Sequence, residues 1–272
     1  MNRLKNQCRA IKNHLLLIIL LILSTLTHAT EWQEHPEITA LFQEANATGT
    51  FVLYDLFNDT LVGHDKHRAE TRYVPASTFK IPHSLIGLAS GAVASVDEVL
   101  PYKGPEKPFI PAWKKEMGLR EAIALSNVPI YQELARRIGP ERMREALRQM
   151  GYGNEEVGER IDRFWLDGPL AISAVEQVRF LAKLAQGSLP FSKARQASVR
   201  EIVLLESTPR HKLYGKTGWQ NAPGDGVGWW VGWVERGGRL YAFALNMEMH
   251  GMADAPKRTE LGRAALRSLG LL

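Results

Sequence analysis

The chain has 272 residues, 45% of them hydrophobic and 23% charged, which is enough for a sizeable core and too apolar for a disordered chain. Its single cysteine, Cys8, leaves no material for a disulfide framework or a cysteine-ligated metal. The net charge of +5 includes Arg3, Lys5, Arg9 and Lys12, with no acidic residue before Ala29. Without that segment the charge is +1, so the basic balance gives no reason to expect a nucleic-acid partner.

The four basic residues precede an unbroken apolar run from Leu15 to Leu23, and Thr27-His28-Ala29 follows it. A basic start, a short apolar stretch and a small residue at the end form the pattern of a secretory signal peptide, with cleavage expected near Ala29. The run is too short to remain as a membrane span. Cys8 lies ahead of it, so the exported protein, 30–272, is expected to be cysteine-free and released to the periplasm or medium, periplasmic export being preferred and an uncleaved anchor the alternative.

In chain order, Thr48–Asp55 reads as a strand, Asn58-Asp59 as a turn and Leu61-Val62 as a second short strand. A helix follows Pro75 and carries Ile81, Leu85 and Leu88 at helical spacing. Prolines at 101, 105, 108 and 111 mark a loop, and helices are expected near 119–125, 129–138, 140–149, 173–186 and 191–204. After Pro209 the signal turns to strands at 213–216, 228–234 and 240–247, and a last helix spans about 256–268. Strands, then helices, then strands and a helix predict an α+β fold: an antiparallel sheet flanked by helices, plus a mostly helical lobe. No flexible linker divides 30–272, which reads as one domain with two lobes and a cleft between them.

Ser77-Thr78-Phe79-Lys80 sets a hydroxyl and an amine three residues apart at the start of the helix, on one face and turned inward. A desolvated lysine can lose its charge and take a serine proton, and an N–H in the first turn can help hold an oxyanion. By itself this spacing occurs by chance. Ser126-Asn127-Val128, Tyr152-Gly153-Asn154 and Lys216-Thr217-Gly218, in that order, make chance a poor account. Tyr152-Gly153-Asn154 is expected to be architectural, and Trp229, Trp230 and Trp233 to pack rather than to bind. His64-x-x-His67 reads as part of a polar turn with no third ligand nearby, so no metal is expected, and His83 is read as a packing or surface residue.

With these motifs, Phe164-Trp165-Leu166, Gly228–Trp233 and Asn246-Met247-Glu248-Met249, the chain resembles the class D, oxacillinase-type serine β-lactamases. Ser-x-x-Lys and Lys-Thr-Gly are common to penicillin-recognising serine enzymes. Ser126-Asn127-Val128 in place of Ser-Asp-Asn, and no Glu-x-x-x-Asn segment, point to class D.

The resemblance implies that Ser77 attacks the β-lactam carbonyl. It also implies that Lys80 is carboxylated by CO2 and acts as base in both acylation and deacylation, with Trp165 steadying the carbamate. Ser126 and Lys216 would relay a proton to the leaving nitrogen. The N–H groups of Ser77 and Trp219 would form the oxyanion hole, and Val128, Thr217, Gly218 and Arg258 would bind substrate. No metal or organic cofactor is implied beyond CO2 or bicarbonate, and a monomer or homodimer is expected. A β-lactam-binding sensor domain or a cell-wall transpeptidase, which acylates without fast release, is the alternative.

Overall fold

Alternation along the three C-terminal strands organises the molecule. The computed structural model describes residues 30–220 and 226–272, so the expected signal peptide lies outside the described residues, as do residues 221–225. Seven strands form one sheet: β1 (Glu31–Glu34), β2 (Gly49–Asp55), β3 (Thr60–His64), β4 (Leu204–Ser207), β5 (His211–Gln220), β6 (Gly226–Arg236) and β7 (Arg239–Met249). Their order is β1-β3-β2-β7-β6-β5-β4. The two halves of the chain meet where β2 pairs antiparallel with β7, Phe51 opposite Leu245 and Val52 opposite Ala244.

Successive strand residues point to opposite faces, so each strand feeds two cores. Phe51 and Leu53 of β2, Trp230 of β6 and Phe243 and Leu245 of β7 face a smaller core. It is closed by Ile38 and Phe42 of α1 (Pro36–Glu44) and by Leu261, Ala265 and Leu266 of α9 (Lys257–Ser268). Val52, Trp229, Val231, Trp233 and Ala244 face the larger core, which the remaining helices complete. The three β6 tryptophans are thus buried packing residues, as the sequence predicted.

The helices on the larger side have legible starts and stops. In α7 (Ala174–Gln186), Ser173 and Glu176 form a reciprocal capping box, and Gly187 ends the helix in the left-handed conformation. Asn127 caps α5 (Val128–Ile138): its Oδ1 accepts the Ile130 N–H at 3.1 Å while its Nδ2 donates to the Trp113 carbonyl at 3.0 Å. α6 (Pro140–Met150) opens on proline and closes on left-handed Gly151. α3 (Lys80–Ala89) is buried on all sides from Lys80 to Leu88, which makes it the central pillar of the larger core.

The structure corrects the sequence reading in several places. Leu204, expected to end a helix, begins edge strand β4, because α8 (Lys193–Ile202) stops and the chain pairs with β5. β1, α1 and the short α2 (Lys66–Glu70) lacked a sequence signal strong enough to assign. His64 and His67 do not share a polar turn. His64 ends β3, where its Nδ1 lies 3.0 Å from Thr39 Oγ1, and His67 sits on α2. No group of three potential metal ligands occurs among the described residues, and no helix among them is long and apolar enough to cross a membrane.

Candidate active site

The chain approaches Ser77 through a tight turn. Ala76 has φ +48°, in the left-handed region, and a 3-10 turn, Ala76–Phe79, leads directly into α3. Thr78 pins this turn from two sides: its Oγ1 donates to the Pro75 carbonyl at 2.7 Å and accepts from Gln177 Nε2 at 3.0 Å. Ser77 therefore lies one turn before the α-helix rather than inside it. The 3-10 geometry brings residues i and i+3 into line, and Lys80 Nζ donates to Ser77 Oγ at 2.8 Å.

Lys80 is completely buried, with Nζ 5.2 Å from the centre of the Tyr131 ring. Removal from water, and secondarily the charge of Lys216, hold its amine well below the usual lysine range. A neutral amine at hydrogen-bond distance from a hydroxyl is a base in position to take its proton. Next to Lys80 in the chain, Phe79 stacks on Trp165, and Phe164 meets both rings edge-on. Trp165 is fully buried, and its indole Nε1 has no hydrogen-bond partner among the described residues. Buried polar groups are nearly always paired, so this orphan needs an explanation.

The second hydroxyl–amine pair faces the first across the cleft. Ser126 follows α4 (Leu119–Ala124) with φ +55°, a strained placement for a serine that the Asn127 cap helps to hold. Lys216 Nζ donates to Ser126 Oγ at 3.1 Å and to the Thr217 carbonyl at 3.0 Å. Burial, then the nearby Arg258 charge, push the Lys216 amine down to about 7. The strand expected at 213–216 runs further, so Lys216-Thr217-Gly218 lies inside β5, which continues to pair with β6 through Gln220. Gly218 has a specific reason to be glycine: a Cβ there would lie 3.0 Å from the Pro75 carbonyl oxygen and 3.1 Å from Thr78 Cγ2. The missing side chain lets β5 press against the Ser77 turn.

Arg258, at the start of α9, is 9% exposed. Its Nε donates to the Ala255 carbonyl at 2.9 Å and its Nη1 to the Gly218 carbonyl, which anchors the guanidinium at the cleft wall. Burial lowers it to about 10, still a cation at neutral pH. Gly228 makes room for its stem, since a Cβ there would lie 2.7 Å from Arg258 Cδ.

Ser77, Ser126, Val128, Thr217, Gly218, Trp219 and Arg258 all line one cleft of about 710 Å³, with the Lys80 and Lys216 amines bonded to its two serines. Trp165 does not line the cleft but lies in the aromatic wall around Phe79. A larger cavity of about 840 Å³, between the end of α3, α6 and residues 189–195, contains none of these groups. Tyr152, Gly153 and Asn154 are structural. Tyr152 is buried, and Asn154 donates to the Pro169 carbonyl at 2.9 Å and accepts the Ala171 N–H at 2.9 Å.

Sequence reasoning missed the cleft mouth. Phe109, Ile110 and Trp113 from the proline-rich loop and Met252 from the far side line it, and the Phe109 ring meets that of Trp219 edge-on at 6.4 Å. Three bulky apolar residues in a loop were the available signal. His83, read as a packing or surface residue, is the former. It is completely buried, with no surface role, and neither ring nitrogen has a partner among the described residues.

Comparison with known proteins agrees with this arrangement. Residues 39–267 match the penicillin binding protein transpeptidase domain. The chain is 40% identical over 234 residues to β-lactamase OXA-5 of Pseudomonas aeruginosa, covering 85% of this chain and 87% of that protein. It is 39% identical over 221 residues to β-lactamase OXA-48 of Klebsiella pneumoniae, covering 81% and 83%. The crystal structure of a class D β-lactamase from Fusobacterium nucleatum subsp. polymorphum superposes with TM-score 0.86 at 42% identity, covering 88% of this chain and all of that one. A class D β-lactamase from Nostoc superposes at 0.83 with 38% identity, covering 86% and 99%. With the paired serine–lysine cleft already described, these similarities place the chain in the family of class D serine β-lactamases.

Proposed function

We propose that this protein opens the four-membered amide ring of penicillins and related β-lactams by serine acylation and hydrolysis, and so confers resistance to them. The observation that carries the reading is the fully buried Lys80 amine 2.8 Å from Ser77 Oγ, at a cleft that holds a cationic Arg258. Ser77 Oγ attacks the lactam carbonyl as Lys80 takes its proton, and the C–N bond breaks to leave an acyl-enzyme. The Ser126–Lys216 pair sits where it can hand a proton to the departing nitrogen, and an amine near 7 can both give and receive one at neutral pH. The Ser77 and Trp219 N–H groups are the oxyanion donors in this reading, a contribution worth about 10²–10³ in rate per donor. Thr217 and the Arg258 guanidinium, with Val128 and Gly218 on the same wall, hold the substrate carboxylate.

The Lys80 pocket suits a carbamate. A buried neutral amine is the form that reacts with CO2, the surrounding rings exclude water, and Trp165 Nε1 is a buried donor with no other partner among the described residues. Carboxylation of Lys80 would supply a carboxylate base at Ser77, able to serve deacylation as well as acylation. Lys80 and Trp165 would hold it without metal or organic cofactor. We further read residues 1–29 as an export signal and 30–272 as a two-lobed catalytic domain delivered to the periplasm as a monomer or homodimer.

Steady-state hydrolysis of a penicillin and a chromogenic cephalosporin by the purified protein tests the function. Many turnovers per enzyme are expected. Stoichiometric acylation of Ser77 with release over hours would instead assign a β-lactam sensor or a cell-wall transpeptidase.

A further inference from the structure

His83 is a buried titratable group that the mechanism above leaves unused. It lies three residues after Lys80 on α3, so the two side chains share a face of the helix. Its ring is enclosed by three aromatic rings, with centroids at 5.2 Å for Phe79, 5.3 Å for Tyr131 and 5.0 Å for Trp165. Tyr131 is also the ring over which Lys80 Nζ is poised, at 5.2 Å. Trp165, like Trp219 and Trp233, carries a buried indole N–H with no partner among the described residues. Neither His83 ring nitrogen has a partner among the described residues, in a helix with no exposed residue from Lys80 to Leu88.

An imidazole always carries at least one N–H, and leaving a buried donor unpaired is destabilising. Leucine or phenylalanine would fill this apolar space without that cost. Ser84, the next residue, shows that the same helix satisfies its polar groups where it can: its Oγ donates to the Lys80 carbonyl at 2.8 Å and lies 2.7 Å from Tyr131 Oη. Two unpaired donors, Trp165 and His83, in contact with each other beside a CO2-reactive amine call for a shared acceptor. Burial, the larger cause, holds His83 well below the usual histidine range; the smaller contribution comes from the cationic form of Lys80 and is absent from the carbamate.

We propose that His83 is a positioning residue of the Lys80 site, donating a ring N–H to a carbamate oxygen on Lys80 opposite the Trp165 N–H. The inference rests on Lys80 being carboxylated. In that step the Lys80 Nζ lone pair forms a bond to the carbon of CO2 and one C–O π pair moves onto oxygen. The proton lost from Nζ leaves by way of Ser77 Oγ, 2.8 Å away, towards the cleft. His83 neither gains nor loses a proton. Its N–H fixes one oxygen of the new anion, which Trp165 alone would leave free to rotate.

The test titrates the purified protein with 13C-labelled bicarbonate and follows the carbamate carbon by NMR, a readout independent of turnover. His83→Leu keeps volume and removes the donor. It should need on the order of tenfold more bicarbonate for half-carboxylation, the loss expected for one hydrogen bond to a charged group. His83→Asn keeps an N–H and should stay within about threefold of wild type, since the bond to the charged group is retained. Equal midpoints for Leu and wild type, or an Asn variant as weak as Leu, would overturn the proposal.

Wild-type protein labelled with 15N in histidine gives a second reading that needs no variant to fold. The His83 ring-nitrogen signal should move as the carbamate forms, and a signal indifferent to bicarbonate overturns the inference. If wild type gives no carbamate carbon signal at saturating bicarbonate, the Lys80 reading itself fails. If that signal appears and only the His83 results are negative, His83 alone is refuted.

Discussion

The two cores on opposite faces of the sheet are made from the same strands and do different jobs. The smaller one sets Phe51, Trp230, Phe243 and Leu245 against α1 and α9, a conventional apolar seal. The larger one holds a lysine and a histidine, both completely buried, among its aromatic rings. Burying such groups is costly, and a protein selected for stability alone would fill those positions with aliphatic side chains. The smaller core seals one face of the sheet, while on the other face β5 packs against the Ser77 turn through Gly218 and Lys80 is held out of water. Substitutions on the two sides should therefore separate stability from turnover.

The largest contrast is expected from Ser77 and Lys80, the pair proposed to react. Ser77→Ala should lower kcat by on the order of 10⁴-fold or more, the loss typical of removing a catalytic nucleophile, with little change in Tm. Lys80→Met should lower kcat by about 10²–10⁴-fold, the usual worth of a general base. Its Tm should be equal or higher, because an isosteric thioether replaces a desolvated amine. A Lys80→Met protein that unfolds readily would show that the lysine supports the fold and would break the contrast.

Trp230→Ala, on the other face, should do the reverse. It should cost about 3–5 kcal/mol of stability in denaturant unfolding, while the fraction that remains folded keeps a kcat within a few-fold of wild type.

A pH test sharpens the same point. The Lys216 amine titrates near 7 in the folded protein against its ordinary 10.5, so between those values the unfolded chain binds the extra proton. Stability should rise with pH across that window and be fully penalised below it. Lys216→Met should flatten the rise in Tm between pH 7 and pH 10, and an unchanged slope would mean that this amine is not desolvated as described. A smaller effect is expected at Arg258. Its replacement by alanine should raise KM for a carboxylate-bearing β-lactam by about tenfold, one charge-assisted contact, and leave kcat less affected. The smallest effect belongs to Phe109, 64% exposed at the cleft mouth, where alanine should change Tm within the ordinary range of surface substitutions and shift KM only a few-fold.

Much of this was legible locally. The Ile81, Leu85 and Leu88 stripe marked the helix behind Ser77, and all three residues are buried in the larger core. The strands around 228–234 and 240–247 were visible from their apolar runs, although each extends further than the run because β6 and β7 pair from Gly226 to Arg236. What escaped depends on contacts distant in sequence. Leu204 is a strand residue only because Tyr214 is opposite it. Gly218 is glycine because the Ser77 turn, over a hundred residues earlier, presses on it, and a single sequence shows that residue without its neighbour. His83 looked ordinary because a periodic pattern marks a helix face but not whether a further layer covers the opposite one. The family motifs brought Ser77, Lys80, Ser126 and Lys216 to notice, while the 3-10 turn that aligns the first pair follows from the strained Ala76 and emerged only with the fold.

The central claim is that one buried lysine serves both the formation and the release of the acyl-enzyme. Its most direct test is a time course of intact protein mass after wild type and Lys80→Ala are mixed with excess penicillin. Wild type should show a transient Ser77 adduct that disappears as substrate is consumed, while any adduct on the variant should persist. Equally rapid loss of the adduct from both proteins would contradict the account.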